Sequence, residues 1–188
     1  DANLKDALAI VVNAKVQRPT VCNALDTVLV HQAVASKFLP KLATEFGVHD
    51  VELRADGRAM SLIGVLTGGS KITPAQSDDF GTEFLSLVAS VRIVDSMEEA
   101  IAHIGEYGSG HSEAIISDNA ETAEQFLNEI DAGAVFANTS TRFNDGAEFG
   151  LGAEVAISTN KLHARGPMGL KEITSYKWKV RGSGQVRQ

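Results

Sequence analysis

A chain of 188 residues, 44% hydrophobic and 22% charged, has the length of one domain and enough apolar surface for a substantial core. Its net charge of −7, with no basic run, argues against nucleic acid or an anionic membrane as a partner. One cysteine cannot make an internal disulfide, no apolar run approaches a membrane span, and Asp1–Asp6 lacks a signal-peptide pattern, so a reducing cytoplasm is the expected compartment.

In chain order, Leu4, Ala7, Leu8, Val11 and Val12 recur at helical spacing behind Asn3, a suitable N-cap, and predict a helix to about Lys15. Arg18-Pro19 predicts a turn and Thr27–His31 a strand. A helix should follow from about Gln32 to Phe46, kinked or split by Pro40, with Gly47 as its C′ residue. Val51-Glu52-Leu53 reads as a short strand. Residues 56–76 give mixed signals, with turns at Gly68-Gly69 and Thr73-Pro74.

Leu85–Val94 predicts a further strand, and Ser96 with Glu99 a capping box opening a helix through Tyr107. After a turn at Gly108-Ser109-Gly110 come a strand at Ala114–Ile116, a helix from Asp118 with Glu121 to Ile130, and a strand at Ala134–Ala137. Strands alternating with helices at this spacing imply right-handed crossovers. The expected fold class is therefore α/β, a mostly parallel sheet flanked by helices. Beyond Asn138 the periodicity fades into loop, until Ile173–Val180 suggests a last strand.

Residue types alone leave the chemistry open. Free cysteines usually pack in cores, yet Cys22 follows a proline-stiffened turn and precedes a strand, where an exposed nucleophile is well held. His31, His49, His103, His111 and His163 lack metal-ligand spacing. Gly146-x-x-x-Gly150-x-Gly152 matches neither a phosphate loop nor the dinucleotide fingerprint. Glu83 with Asp78 and Asp79 reads equally as a solvated acidic cluster, and Arg142 as a solvated loop residue.

A longer set of strings narrows this. Asn13-Ala14-Lys15, Gln17-Arg18-Pro19, Val21-Cys22-Asn23-Ala24, Tyr107-Gly108-Ser109-Gly110-His111, Ser140-Thr141-Arg142-Phe143, the run Gly146–Glu154 and the run Lys161–Leu170 together resemble the signatures of the gamma-glutamyl phosphate reductase family, within the aldehyde dehydrogenase superfamily. Thr139 departs from it, standing where that family has alanine. The resemblance implies an aldehyde dehydrogenase-like catalytic domain over residues 1–172. It implies that residues 173–188 form a strand of an oligomerisation sheet shared with another subunit. The family's dinucleotide-binding domain, which precedes the catalytic half, has no counterpart in these residues.

The implied activity is NADPH-dependent reduction of L-glutamyl 5-phosphate to L-glutamate 5-semialdehyde and phosphate, the second step of proline synthesis from glutamate. An acyl phosphate is an activated carboxyl, and a thiolate can take its acyl group as a thioester open to hydride. By the resemblance Cys22 is that nucleophile, with its backbone N–H in the oxyanion hole, and Glu83 binds the ribose beside the nicotinamide. Ser140, Thr141 and Arg142 hold the amino-acid end of the substrate, Phe149 lines its tunnel, and Glu148 receives its ammonium. The cofactor implied is NADPH, held weakly by these residues alone. The partners implied are a small-molecule substrate, further copies in a homo-oligomer and glutamate 5-kinase. The alternatives are another thiol-dependent aldehyde or acyl reductase of the superfamily, or a domain inactive in isolation.

Overall fold

Helix α1 (Leu4–Val16) begins where its sequence offers a cap: the Asn3 side chain accepts from the N–H groups of Lys5 and Asp6. Its inner face buries Ala7, Val11 and Ala14. The structure, a computed structural model, describes residues 2–64 and 71–188. The turn expected at Gly68-Gly69 lies outside the described residues.

Strand β1 (Thr27–His31) alternates buried Val28 and Val30 with half-exposed neighbours, and His31 Nδ1 then accepts from Ala33 N–H to cap α2 (Gln32–Val48). The expected break at Pro40 does not occur. Proline removes one hydrogen bond, to the Ser36 carbonyl, but Ser36 faces water, which can replace the donor. Buried Phe38, Leu39, Leu42, Ala43 and Phe46 hold both halves of the helix against the sheet. Nor does the helix end at Gly47: it continues to Val48, and Asp50, at φ 55°, makes the left-handed turn.

Strand β2 (Glu52–Ala55), helix α3 (Gly57–Ile63) and strand β3 (Ile72–Pro74) follow, the helix capped by Asp56 Oδ1 on Ala59 N–H at 2.7 Å. The turn expected at Thr73-Pro74 is instead this strand, tolerable because β3 is an edge where proline needs no ladder donor. Strand β4 (Val88–Val94) completes a four-stranded, wholly parallel sheet of order β1-β4-β2-β3, with Thr27 opposite Ser90 and Leu53 between Ala89 and Ile72. Its start is later than the expected Leu85, which sits at φ 50° and bends the chain.

Helix α4 (Met97–Tyr107) is capped by Ser96, while Glu99 closes back onto Asp95 N–H rather than Ser96 N–H. Strand β5 (Ser112–Ile115) and strand β6 (Ala134–Ala137) form their own parallel pair around helix α5 (Ala120–Glu129), rather than continuing the first sheet. The cap of α5 is Asn119 instead of Asp118, its side chain accepting from Thr122 N–H at 2.9 Å. The α/β class and the parallel pairing are as the sequence predicts.

A short antiparallel ribbon, β7 (Ala156–Ser158) with β8 (Gly166–Met168), went unforeseen. Gly133 and Gly166 let it lie against the β5–β6 pair: a Cβ on Gly166 would stand 3.1 Å from the Gly133 carbonyl. Ile173–Val180, expected as a strand, pairs with no described strand of this chain. Tyr176, Trp178 and Val180 are 84%, 83% and 89% exposed. Among the described residues, no helix is long and apolar enough to cross a membrane.

Candidate active site

The loop from Gln17 to Asp26 leaves the C-terminal end of α1 and enters β1, and both its ends are tied down. Leu25 N–H bonds the Ala14 carbonyl at 3.0 Å, and Ala24 N–H closes a turn onto Val21 at 3.0 Å. Cys22 stands exposed on that turn, while its neighbour Asn23 is 5% exposed. A thiol at the tip of a rigid loop is available to a reactant, unlike a core cysteine.

Asn23 carries the connection to the second half of the chain. Its carbonyl accepts from Thr141 Oγ1 at 2.8 Å, and its Nδ2 donates to the Asn144 carbonyl at 3.0 Å. Thr141 opens a 3₁₀ turn, Thr141–Phe143, that Ser140 caps at its start and Asn144 at its end. The same turn thus clamps the residue beside the thiol and presents Arg142. Thr141, expected on the substrate, directs its hydroxyl to Asn23, and Ser140 is buried beneath the turn.

Arg142 lines a cleft of about 370 Å³ with Asn13, Gln17, Ser140, Phe143 and Glu148. Gln17 Oε1 accepts from Arg142 Nε at 3.0 Å. Phe149, beyond this lining, stacks at 6.3 Å on Phe136, whose strand β6 leads into the turn. The cleft therefore offers one guanidinium and one carboxylate, in keeping with a zwitterion.

Glu83 reaches the same neighbourhood from the loop before β4. The next residue, Phe84, donates its N–H to Asp26 Oδ1 at 3.2 Å. Asp26 also pairs with Lys15, whose Nζ donates to the Leu25 carbonyl at 2.7 Å and lies 5.9 Å from the Phe84 ring. Lys15 is 0% exposed, and burial lowers its pKa against the opposing pull of Asp26. This buried knot joins the thiol loop to the Glu83 loop.

The thiol feels its surroundings. Loss of water around it, then the carboxylate of Glu154, push the Cys22 pKa up; its own backbone N–H opposes them, Glu83 adds to the rise, and Arg142 draws it down. The net direction is upward, which favours the thiol over the thiolate. Glu154, which holds Gly146 N–H at 2.8 Å through Oε2, and Glu83 are the two carboxylates that face it electrostatically.

Residue-type reasoning missed Gln17, Phe143, Asn144 and Glu154. Gln17, Phe143 and Glu154 lie inside the motif strings, but nothing in a string says which side chain turns inward. Asn144 gave no signal at all. The other histidines are dispersed, and among the described residues no cluster suits a metal ion. Arg165 pairs with Asp131 at 2.6 Å, and Lys161 pairs with the same carboxylate, along a second cleft of about 430 Å³ that Glu113 also lines. Burial pushes the Glu113 carboxyl up to about 7.

An exposed thiol on a tethered loop of a parallel α/β domain, joined through Asn23 to the turn that carries Arg142, is an arrangement shared with a known family. The model of the aldehyde dehydrogenase family matches residues 72–179, and the chain belongs to that family. Within it, the chain is 58% identical over its whole length to the gamma-glutamyl phosphate reductase of Dehalococcoides mccartyi. It is 45% identical over its whole length to the crystal structure of gamma-glutamyl phosphate reductase from Thermotoga maritima, with a TM-score of 0.91. It spans 44% of the length of each of these relatives. A glyceraldehyde-3-phosphate dehydrogenase from Methanocaldococcus jannaschii, solved in complex with NADP, shares the fold at a TM-score of 0.54 and 17% identity over 75% of this chain and 38% of that one.

Proposed function

We propose that this chain is the thiol-bearing part of an NADPH-dependent gamma-glutamyl phosphate reductase, which converts L-glutamyl 5-phosphate to L-glutamate 5-semialdehyde and phosphate. The observation that carries the reading is the shared anchoring of Cys22 and Arg142: one turn fixes the residue after the thiol and the cation of the cleft. Such a site holds a substrate by its amino-acid end while the far carboxyl meets sulfur.

In the reaction, Arg142 takes the substrate α-carboxylate on its free terminal nitrogens, and Glu148 takes the ammonium. A carboxylate receives the thiol proton, the Cys22 sulfur bonds the acyl carbon, and the carbon–oxygen bond to phosphate breaks with its electron pair leaving on phosphate. The backbone N–H of Cys22 stabilises the oxyanion. When bound, NADPH supplies the hydride that reduces the thioester. Sulfur then leaves as thiolate, releasing the aldehyde, and recovers its proton.

Glu83 fits a role at the cofactor: it is exposed, carries no hydrogen bond to the described residues, and lies within electrostatic reach of the thiol, so a ribose hydroxyl can donate to it. The unpaired segment after residue 173, apolar on alternate positions, supports a strand that joins a sheet with another subunit.

In the full-length protein, Cys22→Ser should leave the thermal melt unchanged and cut reductase turnover on the order of 10³-fold or more, because a hydroxyl is a far weaker nucleophile. Near-normal turnover in the serine variant defeats the assignment. Turnover of simple aldehydes in preference to γ-glutamyl phosphate points instead to another reductase of the family.

A further inference from the structure

His111 is 8% exposed, and its Nε2 has no hydrogen-bond partner among the described residues. Its Nδ1 lies 2.5 Å from Ser112 Oγ. That oxygen accepts from Asn144 Nδ2 at 2.7 Å, and Asn144, 0% exposed, accepts Asn23 Nδ2 through its carbonyl. An unbroken buried chain therefore runs from His111 through Ser112 and Asn144 to Asn23, the residue after Cys22. Asn144 also terminates the turn that carries Arg142.

The hydrogen bonds along this chain favour one proton arrangement. A hydroxyl has one hydrogen to give and lone pairs to receive. Asn144 donates to one lone pair of Ser112, and His111 Nδ1 is the only acceptor among the described residues for its hydrogen. The Ser112 hydrogen finds this acceptor only when His111 is neutral with its own hydrogen on Nε2, the nitrogen that has no partner among the described residues. Protonated, Nδ1 becomes a donor, and the Ser112 hydrogen is left buried with no acceptor.

We propose that neutral His111 is a positioning residue of this site, which sets both the Cys22 loop and the Arg142 turn through Ser112 and Asn144. The inference rests on the reading of Cys22 as nucleophile. Burial holds His111 towards the neutral form, while the carboxylates of Glu83 and Glu154, the charged groups that face it, pull towards protonation. Acid should therefore loosen the thiol loop before it unfolds the protein.

The test uses the full-length protein and the rate at which iodoacetamide alkylates Cys22 as a function of pH, with KM for γ-glutamyl phosphate measured alongside. Wild type should show, at weakly acid pH, an extra several-fold fall in rate beyond that from thiolate fraction alone. His111→Asn, whose amide oxygen can replace the Nδ1 acceptor, should abolish that fall and keep KM within about twofold. His111→Ala and Ser112→Ala should each slow alkylation several-fold at every pH and raise KM about fivefold. If either alanine variant fails to fold, the other and the asparagine variant carry the test. A folded Ser112→Ala with wild-type alkylation and KM overturns the proposal, as does an unchanged acid fall in His111→Asn. Retained turnover in Cys22→Ser would instead sink the nucleophile reading, and the alkylation profile would still report on His111.

Discussion

Arg142 enters its cleft with one edge already used, since its Nε–H goes to Gln17 and leaves the two terminal nitrogens to converge on a carboxylate. Lysine retains the charge but lacks the fork, so Arg142→Lys should raise KM for the acyl phosphate about tenfold with a smaller change in kcat. Steady-state kinetics with unchanged KM would return Arg142 to solvent. Glu113 has a consequence for stability. Its folded pKa of about 7 exceeds the ordinary 4.5, so the folded state holds a proton that the unfolded state has released. Stability from this group is full below pH 4.5 and lost as pH rises through 7. Glu113→Gln should therefore gain on wild type by about 3 kcal/mol between pH 4.5 and 7.5, a shift read by urea denaturation at both values. A gap that does not widen with pH would show Glu113 already ionised in the fold. At this scale Cys22 and Arg142 drew attention because they sit in uncommon strings, whereas Phe149, expected along the substrate's path, packs on Phe136 outside the cleft lining. The bond from Thr141 to Asn23 was not legible, because it joins residues 118 apart and periodicity describes only neighbours.

Elements built from local signals were read closely: α1 from its cap and stripe, β1 and β6 from apolar runs between turns. The misses share a cause, the override of local preference by tertiary contact. Pro40 should end a helix, but the buried side chains of α2 on both sides of it lock it to the sheet. Thr73-Pro74 should turn, but an edge position accepts it as a strand. The ribbon of β7 and β8 has only three residues in each strand, too few for a pattern to emerge. Proline inside a helix costs about 3 kcal/mol relative to alanine, offset by about 0.4–1 kcal/mol of lost freedom in the unfolded chain. Pro40→Ala should thus raise stability by about 2 kcal/mol in urea melts. A lower midpoint for that variant would mean that the ring itself packs better than the restored hydrogen bond.

Across the whole molecule, the core cluster lies in the first half of the chain, and the site is assembled at its junction with the second. The Cys22 loop comes from one side, and the turn at 141–143 with Glu154 from the other, so this arrangement depends on both halves folding. Cofactor binding asks for more. Of the described residues, Glu83 alone was assigned to NADPH, and a few contacts at one end of a large dinucleotide do not offset the freedom lost on binding. The 188 residues by themselves should fold cooperatively yet show no heat of NADPH binding at micromolar concentration. A clear micromolar isotherm would mean that the cofactor site is built from other residues of this chain.

Trp178 is the one tryptophan, and it lies on the exposed terminal segment, edge-on to Tyr176 at 5.9 Å and far from water exclusion. Intrinsic fluorescence of the isolated chain consequently reports the tail and is nearly blind to melting of the sheet, which must be followed by circular dichroism. The same blindness makes the indole a clean sensor of the tail: any surface that covers it, another copy included, should move its emission to the blue without a change in secondary structure.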